Sequence, residues 1–462
     1  MKKLKILKPY FFIFLLFILI VTPYGVGRGI FFDGLTYSSI SRNLAEGVGT
    51  FWKPHYTKTV FNEFYENLPL QFFLQSLFFR LFGDRIWVER VYGILIMLFS
   101  ILFFILTLKE LEILISFPEP EKRDFRLSWA GFLFIALPVI MYSALNNLLE
   151  NTMTFFVILS CYFAIKSFNA KTYFIFSILS GISIFLAFLS KSVPGIFPLI
   201  IYPLTGIVLK TKGWFKRILY QFGSFIIILG FILIFIEDGR YCIFTHLKEQ
   251  VFASVTGTRG VSKSRFNIII PFIQETISPF IIALIFSRFK NWKLREISLF
   301  LLIIGLCGFL PLMVSQKVAR RYLIPCLPFF AGFIAYSSYD GVYESFKNKI
   351  FKFLYKISIL LIIFSIIILS ITSFGKVRKN KKQWNEVLSC WEKLQRYKQR
   401  IVVKPVNFEP NWEDHAFYQR YFKWSFGEGE YLLERVDIPS GVLSDKYQIL
   451  VDGGKIRLWM KK

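Results

Sequence analysis

FFDGLTYSSISRNLAEG (residues 31–47) and NLPLQFFLQSLFFRLFG (residues 67–83) are two short helical patterns separated by a polar run. They lie between two apolar segments, 9–28 and 86–108, each of which is long enough to cross a bilayer. Both ends of the intervening loop are therefore fixed at the same membrane face. Asp33 then lies on a helix at the membrane surface, within reach of lipid head groups, which predicts chemistry on a lipid-borne substrate.

Apolar blocks decide the fold class. Hydrophobic residues make up 55% of the 462 residues and fall in blocks of about twenty, which matches the hydrocarbon thickness of a bilayer. A soluble domain would instead mix polar and apolar residues at the helical or strand period. The sequence predicts an all-α polytopic membrane protein of about 11 spans, with interfacial helices in its first outer loop. The predicted spans are 9–28, 86–108, 127–145, 151–167, 172–189, 193–209, 218–236, 268–286, 297–314, 322–337 and 354–374.

The basic residues predict the orientation. The net charge of +26 lies mainly in short clusters between the apolar blocks, where the positive-inside rule places it, and this argues against a nucleic-acid partner. Four lysines begin the chain: Lys2, Lys3, Lys5 and Lys8. We expect this cluster to stay in the cytoplasm, so the 32–83 loop faces outward. The prediction is a multi-pass protein of the bacterial inner (cytoplasmic) membrane with an extracytoplasmic active site.

The C-terminal tail differs in composition from the apolar part. We place the boundary between a membrane domain, residues 1–375, and a tail domain, residues 376–462. The alternating runs RIVVKPV, KYQILVD and KIRLWMK predict strands in a small soluble α+β domain outside the membrane. The tail begins KVRKNKK from Lys376, a cluster that alone would prefer the cytoplasm. Either the span count is off by one, or this cluster meets anionic lipid head groups from outside.

The cysteines and histidines predict neither a disulfide framework nor a metal site. The five cysteines include no pair at zinc-ligand or CxxC spacing, and the three histidines are scattered. The prediction leaves room for a divalent cation but assigns it no ligands. His55, Glu63 and Glu66 lie in the polar run of the first loop and are candidates for binding an acceptor or for shaping the loop.

Asp33 opens the first helical pattern. Tyr37, Ile40 and Leu44 follow at helical spacing and form an apolar stripe that we expect to lie on the membrane. Gly47 is placed to end this helix. An N-cap role is the alternative for Asp33, because Asp is a preferred residue there, and a capping carboxylate can also act as a base.

The second helical pattern is too short to span a membrane. It begins near Pro69, which suits a first helical turn, and it places Gln71 and Gln75 one turn apart. We expect it to lie in the membrane interface, either as a simple anchor or as a wall of an acceptor or lipid groove.

Charged residues on the outer face complete the candidate site. Glu150 falls at the membrane end of the fourth span, where a carboxylate is costly unless it is paired or hydrated. It is therefore either functional or an interfacial residue in water. Lys191, Arg320 and Arg321 are cations on the face where the positive-inside rule does not call for them. Such residues bind lipid phosphates, although each could instead be a snorkelling anchor.

Five segments resemble, in order, the motifs of a known family. They are FFDGLTYSSISRNLAEG, ENLPLQFFLQSLFFRLFG, ALNNLLENTMTFF, GISIFLAFLSKSVPG and RRYLIPCLPFFA. The region that carries them, about residues 10–340, resembles the GT-C membrane glycosyltransferases of family 39. That family includes the dolichyl-phosphate-mannose protein mannosyltransferases and the bacterial aminoarabinose lipid A transferases. Its members transfer a sugar from a polyprenyl-phosphate carrier to an acceptor on the outer or luminal face and invert the anomeric centre.

The resemblance implies roles for individual residues. Asp33 matches the acidic residue of the first loop, which is implied to be the catalytic base, and Glu150 matches the second acidic position. Lys191 matches the lysine of a TKG-like motif that reads SKS here. Arg321 and Tyr322 match the start of an RYLLPALP-like segment.

The predicted reaction is a single displacement. Asp33 accepts a proton from the acceptor as it attacks the anomeric carbon, and the polyprenyl phosphate leaves. Lys191 and the Arg320/Arg321 pair are expected to neutralise the charge that develops on the phosphate. The predicted partners are a polyprenyl-phosphate sugar donor, a glycan, lipid or protein acceptor, and membrane lipids. A transporter or flippase of lipid-linked sugars is the alternative, and a non-catalytic membrane scaffold is a third hypothesis.

Overall fold

The computed structural model describes residues 2–117, 119, 122–258, 264–286, 292–345, 347–438 and 446–462. Side chains are described from residue 13 onward, with further gaps at 282, 292–293 and within 351–362. The Lys2 to Lys8 cluster, on which the predicted orientation depends, therefore lies outside the described side chains.

The described part of residues 1–375 is helical. Its α-helices are α1 (Lys2–Gly25), α2 (Phe32–Ala45), α3 (Leu70–Phe82), α4 (Val88–Leu114), α5 (Arg123–Ile135), α6 (Pro138–Leu145), α7 (Leu149–Asn169), α8 (Tyr173–Lys191), α9 (Ile201–Val208), α10 (Trp214–Phe235), α11 (Glu237–His246), α12 (Ala253–Thr256), α13 (Ile269–Phe286), α14 (Trp292–Phe309), α15 (Leu327–Ser345) and α16 (Lys349–Ser373). Short 3-10 segments occur at Val193–Gly195, Phe197–Ile200, Arg265–Ile268, Leu310–Val314 and Arg320–Leu323, and a π-helical segment at Leu247–Phe252.

Six helices within the described residues are long and apolar enough to cross a membrane. They are α4, α7, α8, α10 and the segments Arg265–Phe286 and Leu294–Val314. The pair α5 and α6 makes a seventh if it counts as one broken span. The helical, multi-span architecture agrees with the sequence-based expectation, and the count of eleven spans stays a prediction.

The third predicted span, 127–145, is broken rather than continuous. Its two halves, α5 and α6, meet at an angle of 68°. Leu137 is extended and Pro138 occupies the first position of α6, where its missing N–H costs no helical hydrogen bond. The N–H of Val139 is instead bound by the side chain of Glu275, at 3.1 Å from Oε2. The proline therefore starts a new helix, and Glu275 satisfies its first turn.

Ion pairs at the two ends of α4 distinguish the two faces of the bundle. At one end Glu89 pairs with Arg420 of the tail, with 2.8 Å between Oε2 and Nη2. At the other end Glu112 pairs with Arg126, with 2.8 Å between Oε1 and Nε. Tyr336 donates a hydrogen bond to the same carboxylate of Glu112. The tail therefore lies at the end of the bundle that holds the first loop, and it shares that face with Asp33.

The tail forms a mixed five-stranded sheet with helices on it. The helices are α17 (Lys381–Val387), α18 (Trp391–Gln395) and α19 (Trp412–Phe422), and the strands are β1 (Val402–Pro405), β2 (Ser425–Phe426), β3 (Tyr431–Arg435), β4 (Tyr447–Asp452) and β5 (Ile456–Lys461). The strand order is β2-β1-β3-β5-β4, with β1 parallel to β2 and β3 and the remaining pairs antiparallel. The α+β character predicted from the alternating runs is thus present.

Helix α2 is covered by the tail. Ile30 and Leu35 belong to the apolar core of the tail, and the guanidinium of Arg42 donates to the backbone carbonyls of Gln419 and Arg420 at 2.9 Å each. The expectation that the α2 stripe lies on the membrane is therefore wrong. Its members Tyr37, Ile40 and Leu44 are buried in the protein, the first two in a core shared with Tyr56, Phe64, Phe72 and Leu149. The stripe marks a buried face, and periodicity alone does not show what buries it.

The observed ends of the two short helices, α2 and α3, agree to different extents with the ends predicted from the sequence. Helix α2 begins one residue before Asp33, so Phe31 and not Asp33 occupies the N-cap, and the capping alternative for Asp33 is wrong. The helix ends at Ala45, close to Gly47 with its positive φ of 77°. Helix α3 begins directly after Pro69 and ends before Gly83, as its sequence pattern predicts.

Candidate active site

Four charged side chains from four separate segments meet beside the first turn of α2. The carboxylate of Asp33 lies 2.9 Å from Nη2 of Arg321. The Nε of Arg321 lies 3.4 Å from Oε1 of Glu150, and the same oxygen accepts a hydrogen bond of 2.6 Å from Nζ of Lys191. We call these four residues the charge cluster. It joins the starts of α2 and α7, the end of α8 and the 3-10 segment Arg320–Leu323.

The charge cluster is largely shielded from solvent. The Glu150 side chain is only 1% exposed, whereas Asp33 and Arg321 keep 18% and 22% of their surface. Burial raises the pKa of Asp33 above its ordinary value, and Arg321 and Lys191 oppose that rise without cancelling it. A carboxylate with a raised pKa binds a proton more strongly, which suits a general base.

Aromatic rings hold the cations from the sides. The guanidinium of Arg321 lies 5.2 Å from the ring centroid of Phe31 and 5.5 Å from that of Tyr322. Nζ of Lys191 lies 5.2 Å from the centroid of the same Tyr322 ring. These cation–π contacts help to hold both cations in place.

A buried amide network positions the acidic helix. Asn147 donates to the carbonyl oxygen of Gly34 at 3.0 Å and to the hydroxyl of Ser38 at 2.9 Å, and Gln75 donates to the Asn147 amide oxygen at 2.7 Å. Gln71 also reaches Asn147, so the two glutamines of α3 face inward. Asn147, in the link before α7, thus connects helices α2 and α3 through hydrogen bonds to both. The inward glutamines show that α3 packs on the first turn of α2, while none of the described residues of α3 lines the cavity beside Asp33.

Gly34 allows a close approach in this network. A Cβ added there would lie 2.1 Å from the carbonyl oxygen of Asn146. No side chain fits at that distance, so the first turn of α2 can pack on the 146–147 link only with glycine. The side chain of Asn146 meanwhile accepts from the N–H of Phe31 at 2.7 Å.

A cavity of about 410 Å³ opens in front of the charge cluster. Asp33, Lys191 and Arg321 line its polar end. Apolar residues line much of the remainder, including Val193 and Val314, which are 37% and 50% exposed. We call it the central cavity. It combines a charged end with an apolar side, as a site for an amphipathic ligand does.

The structure separates some of the sequence-predicted site residues from the others. Asp33, Glu150, Lys191, Arg321 and Tyr322 come together, whereas Arg320 points elsewhere. Arg320 pairs with Glu275 on α13, its side chain is 47% exposed, and it does not line the central cavity. Its placement corrects the expected Arg320/Arg321 pair. Neighbouring residues in a 3-10 segment point in different directions, so one faces the cavity and the other does not.

The three loop candidates also separate. Glu66 lines the central cavity, and Gln250 approaches its carboxylate at 3.4 Å. His55 is buried under the tail with Nδ1 2.9 Å from the carbonyl oxygen of Asn62, and burial lowers its pKa. Glu63 accepts from the Tyr65 hydroxyl at 2.7 Å on the surface. Neither His55 nor Glu63 lines the central cavity, so the structure favours the loop-shaping alternative for both.

Sequence reasoning did not single out several cavity residues. Tyr37 belongs to the predicted membrane stripe, but it lines the central cavity one turn after Asp33. His246 and Lys317 also line it, from the end of α11 and from the loop before Arg320. The three histidines are scattered in the sequence, so His246 offered no spacing signal. Lys317 lies in the same basic run, SQKVARR, as Arg321, which is the one signal that could have found it.

Among the described residues, no group of three or more His, Cys, Asp or Glu side chains is placed to hold a metal ion. One cation of the chain itself, Arg321, contacts both Asp33 and Glu150. The position between these two carboxylates is thus occupied by the Arg321 guanidinium.

No protein-family model matches the sequence, and no curated protein matches it. Solved structures do match its fold. ArnT from Cupriavidus metallidurans bound to undecaprenyl phosphate superposes with a TM-score of 0.65 at 12% identity, over 96% of this chain and 97% of ArnT. The apo state of ArnT gives a TM-score of 0.62 over 96% of both chains, also at 12% identity. The chain has the GT-C fold.

A second GT-C structure agrees. The oligosaccharyltransferase AglB from Archaeoglobus fulgidus, in complex with an inhibitory peptide and a dolichol-phosphate, gives a TM-score of 0.56 at 13% identity. The match covers 94% of this chain and 70% of AglB. At such identities the likeness establishes the fold alone. The match to ArnT along nearly the whole chain includes the tail, which the sequence motifs did not reach.

Proposed function

We propose that this protein is a membrane glycosyltransferase that moves a sugar from a polyprenyl-phosphate donor to a glycan, lipid or protein acceptor on the extracytoplasmic face. The observation that carries the proposal is the contact between Asp33 and Arg321 at the charged end of the central cavity. A general base and a phosphate-binding cation are the two groups that this transfer needs at one place. The GT-C fold, shared with proteins that bind undecaprenyl phosphate or dolichol-phosphate, supports the same proposal.

The proposed step is a single displacement with inversion. An acceptor hydroxyl or amine attacks the anomeric carbon and forms the new glycosidic bond, while the bond from that carbon to the phosphate oxygen breaks. The electron pair of the broken bond leaves with the polyprenyl phosphate. The acceptor proton passes to the carboxylate of Asp33. Lys191 and Arg321 stabilise the charge on the departing phosphate.

The ion pair between Asp33 and Arg321 suggests how the base becomes active. A donor phosphate at the charged end would compete with Asp33 and Glu150 for the Arg321 guanidinium, because both ligand types accept its hydrogen bonds. Loss of a neighbouring cation raises a carboxylate pKa. Donor binding would therefore increase the proton affinity of Asp33 at the moment when a base is needed.

The apolar side of the central cavity fits the remainder of the donor. Its exposed valines, Val193 and Val314, adjoin the apolar helix surface of the membrane domain. An isoprenoid chain could follow this surface into the bilayer while its phosphate stays at Arg321. The basic clusters of the sequence support the further proposal that the protein lies in the bacterial inner membrane, with the charge cluster at the extracytoplasmic boundary.

The position of the charges favours the enzyme over the transporter or flippase. Asp33 and Glu150 lie in the first turns of α2 and α7, and Lys191 is the last residue of α8. All three are at helix ends beside a loop. A transporter of lipid-linked sugars would be expected to carry such charges near the bilayer midplane.

The deciding experiment compares Asp33→Asn with Asp437→Asn in the purified full-length protein. Asp437 is an exposed residue of the tail and serves as the matched control. Each variant is incubated with a panel of undecaprenyl-phosphate monosaccharides and cell-envelope acceptors, and release of undecaprenyl phosphate is measured. We expect release by the wild type and by Asp437→Asn, and its collapse in Asp33→Asn. Equal release by both variants would show that Asp33 is not the base.

Mass spectrometry of outer-surface glycolipids and glycoproteins, with and without the gene, tests the activity itself. A sugar that is missing from one class of molecule in the deletion strain would name the donor and the acceptor together. An unchanged set of glycoconjugates, combined with no release by the purified wild type, would overturn the transferase proposal.

A further inference from the structure

A second cavity, of about 800 Å³, lies between α1, α6, the end of α16 and the first residues of the tail. Basic side chains line it: Arg90, Lys376, Arg378, Lys379 and Lys381. Among the described residues that line it there is neither Asp nor Glu. We call it the basic cavity. Four of its five cations come from the KVRKNKK segment, whose charge the span topology leaves unexplained.

The chain holds these cations in place. The guanidinium of Arg378 lies 4.6 Å from the ring centroid of Tyr24, and Nζ of Lys379 lies 5.5 Å from that of Tyr142. Arg90 donates to the carbonyl oxygens of Gly25 and Gly29 at 2.7 Å and 2.9 Å. The positions of Arg90, Arg378 and Lys379 are therefore set by contacts within the chain.

The backbone of the segment is fixed as well. The N–H of Arg28 donates to the carbonyl oxygen of Lys376 at 2.8 Å, and the N–H of Arg378 donates back to Arg28 at 3.0 Å. A Cβ at Gly29 would lie 2.2 Å from the carbonyl oxygen of Lys379, so the backbones at Gly29 and Lys379 approach as closely as glycine allows. The end of α1 and the start of the tail thus form one ordered wall of the basic cavity.

The rim of the basic cavity is apolar and exposed. Tyr24, which lines the cavity, is 56% exposed, and the neighbouring Ile371 and Phe374 at the end of α16 are 71% and 77% exposed. Cations beside exposed apolar side chains at a helix end are typical of a protein that meets the head-group layer of a membrane. A ligand of this cavity therefore needs an anionic head and an apolar body.

The basic cavity lies next to the charge cluster but is separate from it. The ring of Tyr142, which lines the cavity, lies 6.4 Å from the ring of Phe31, and the Arg321 guanidinium lies 5.2 Å from that same Phe31 ring. Asn146 also lines the cavity and binds the N–H of Phe31. Phe31 and Tyr142 thus form the partition between the two sites.

We infer that the basic cavity binds the phosphorylated head group of a membrane lipid, at a site distinct from the one proposed for the sugar donor. Phosphate oxygens suit lysine and arginine without a compensating carboxylate, and the apolar rim accommodates the acyl or isoprenoid part. The inference concerns binding and does not require the proposed transfer to take place.

The test compares two triple variants of the full-length protein in detergent. Lys376→Gln, Lys379→Gln and Lys381→Gln remove three cations from the basic cavity. Lys446→Gln, Lys455→Gln and Lys461→Gln remove three exposed cations from the sheet of the same tail and serve as the control. Dioleoyl phosphatidylglycerol, dioleoyl phosphatidylcholine and inorganic phosphate are the three probes, and binding is measured by native mass spectrometry.

We expect the wild type and the control to bind phosphatidylglycerol in preference to phosphatidylcholine, and the cavity variant to bind it roughly 100-fold more weakly. Equal binding by the two triple variants, or no preference for the anionic lipid, would overturn the inference. Binding of inorganic phosphate as tight as that of phosphatidylglycerol would point to a soluble ligand and would also overturn it. Asp33→Asn should bind phosphatidylglycerol like the wild type, which separates this site from the proposed reaction.

Discussion

Lys191 donates a 2.6 Å hydrogen bond to Glu150, a residue 41 positions earlier in the chain. The pairing follows from the antiparallel packing of α7 and α8, which brings the first turn of one beside the last turn of the other. The second oxygen of Glu150, Oε2, is buried without a hydrogen-bond partner among the described residues. This carboxylate therefore depends on Lys191 and Arg321 for its charge balance.

Lys191→Met should lower the transfer rate by roughly 10²–10³-fold, because it removes one of the two cations proposed to stabilise the departing phosphate. Single-turnover release of undecaprenyl phosphate measures the effect. Lys212→Met, which changes an exposed lysine at the opposite end of the bundle, is the matched control and should leave the rate unchanged. A Lys191→Met rate within twofold of the control would remove Lys191 from the proposed donor site.

The activity should rise with pH through the pKa of Asp33. A base works in its deprotonated form, and burial raises the pKa of Asp33 above 3.8 despite Arg321 and Lys191. The acidic limb of kcat/KM against pH should therefore have its midpoint above 3.8. This midpoint should shift upward when Arg321 or Lys191 loses its positive charge, because both cations lower the pKa of Asp33, but it should not shift with Asp437→Asn. A profile that is flat down to the pH at which the protein unfolds would contradict Asp33 as the base.

Gly34→Ala should abolish most of the activity and destabilise the protein by about 1–3 kcal/mol, since the new methyl group would overlap the carbonyl oxygen of Asn146. Thermal unfolding in detergent and the release assay measure the two effects. Gly223→Ala on α10 is the control, because a Cβ there meets nothing within 4 Å and alanine favours the helix. Similar unfolding temperatures for the two variants would show that the α2 contact is not tight.

Arg420→Met should destabilise the protein by about 3–5 kcal/mol, because it leaves Asp84 and Glu89 buried without their main cation. Lys404→Met, which breaks an exposed pair with Glu428, should leave the stability nearly unchanged, because solvent screens such a pair. Differential scanning measurements on both variants check the contrast. A loss of stability that is no larger for Arg420→Met than for Lys404→Met would show that the ion pairs of Arg420 do not anchor the tail.

The same anchor predicts a loss of stability in acid. Burial raises the pKa of Asp84, but Arg420, Arg42 and Lys398 outweigh it and hold that pKa well below 3.8. A depressed carboxylate pKa stabilises the fold above the unfolded value and loses this contribution as pH falls. The wild type should therefore lose stability below about pH 4, and Arg420→Met should lose less over that range.

Much of the architecture follows from the sequence because each part has a strong local signal. Apolar blocks specify helices of membrane length, and the alternation in residues 446–452 and 455–461 specifies two neighbouring strands. Pro69 and Gly83 bracket a helix that the structure contains at that place. Pro138 also indicates the break in the sequence, but hydropathy alone does not detect the effect of a single proline.

The site was harder to predict, because its parts come from segments that no periodicity connects. Asp33, Glu150, Lys191 and Arg321 are charged residues of the predicted outer face, and the fold brings these four together. Sequence position does not separate Arg320 from Arg321, because the difference depends on Glu275 of α13. His246 and Lys317 reach the cavity through loop geometry, for which a single sequence carries little information.

The burial of α2 by the tail bears on how the protein is made. Ile30 and Leu35 leave the ribosome early, yet their packing partners, such as Trp384 and Phe417, are synthesised only with the tail. Because chains emerge from their N-terminal end, the helix that carries Asp33 stays uncovered until the tail has been synthesised. The packing of α2 is therefore completed only when the tail docks on it.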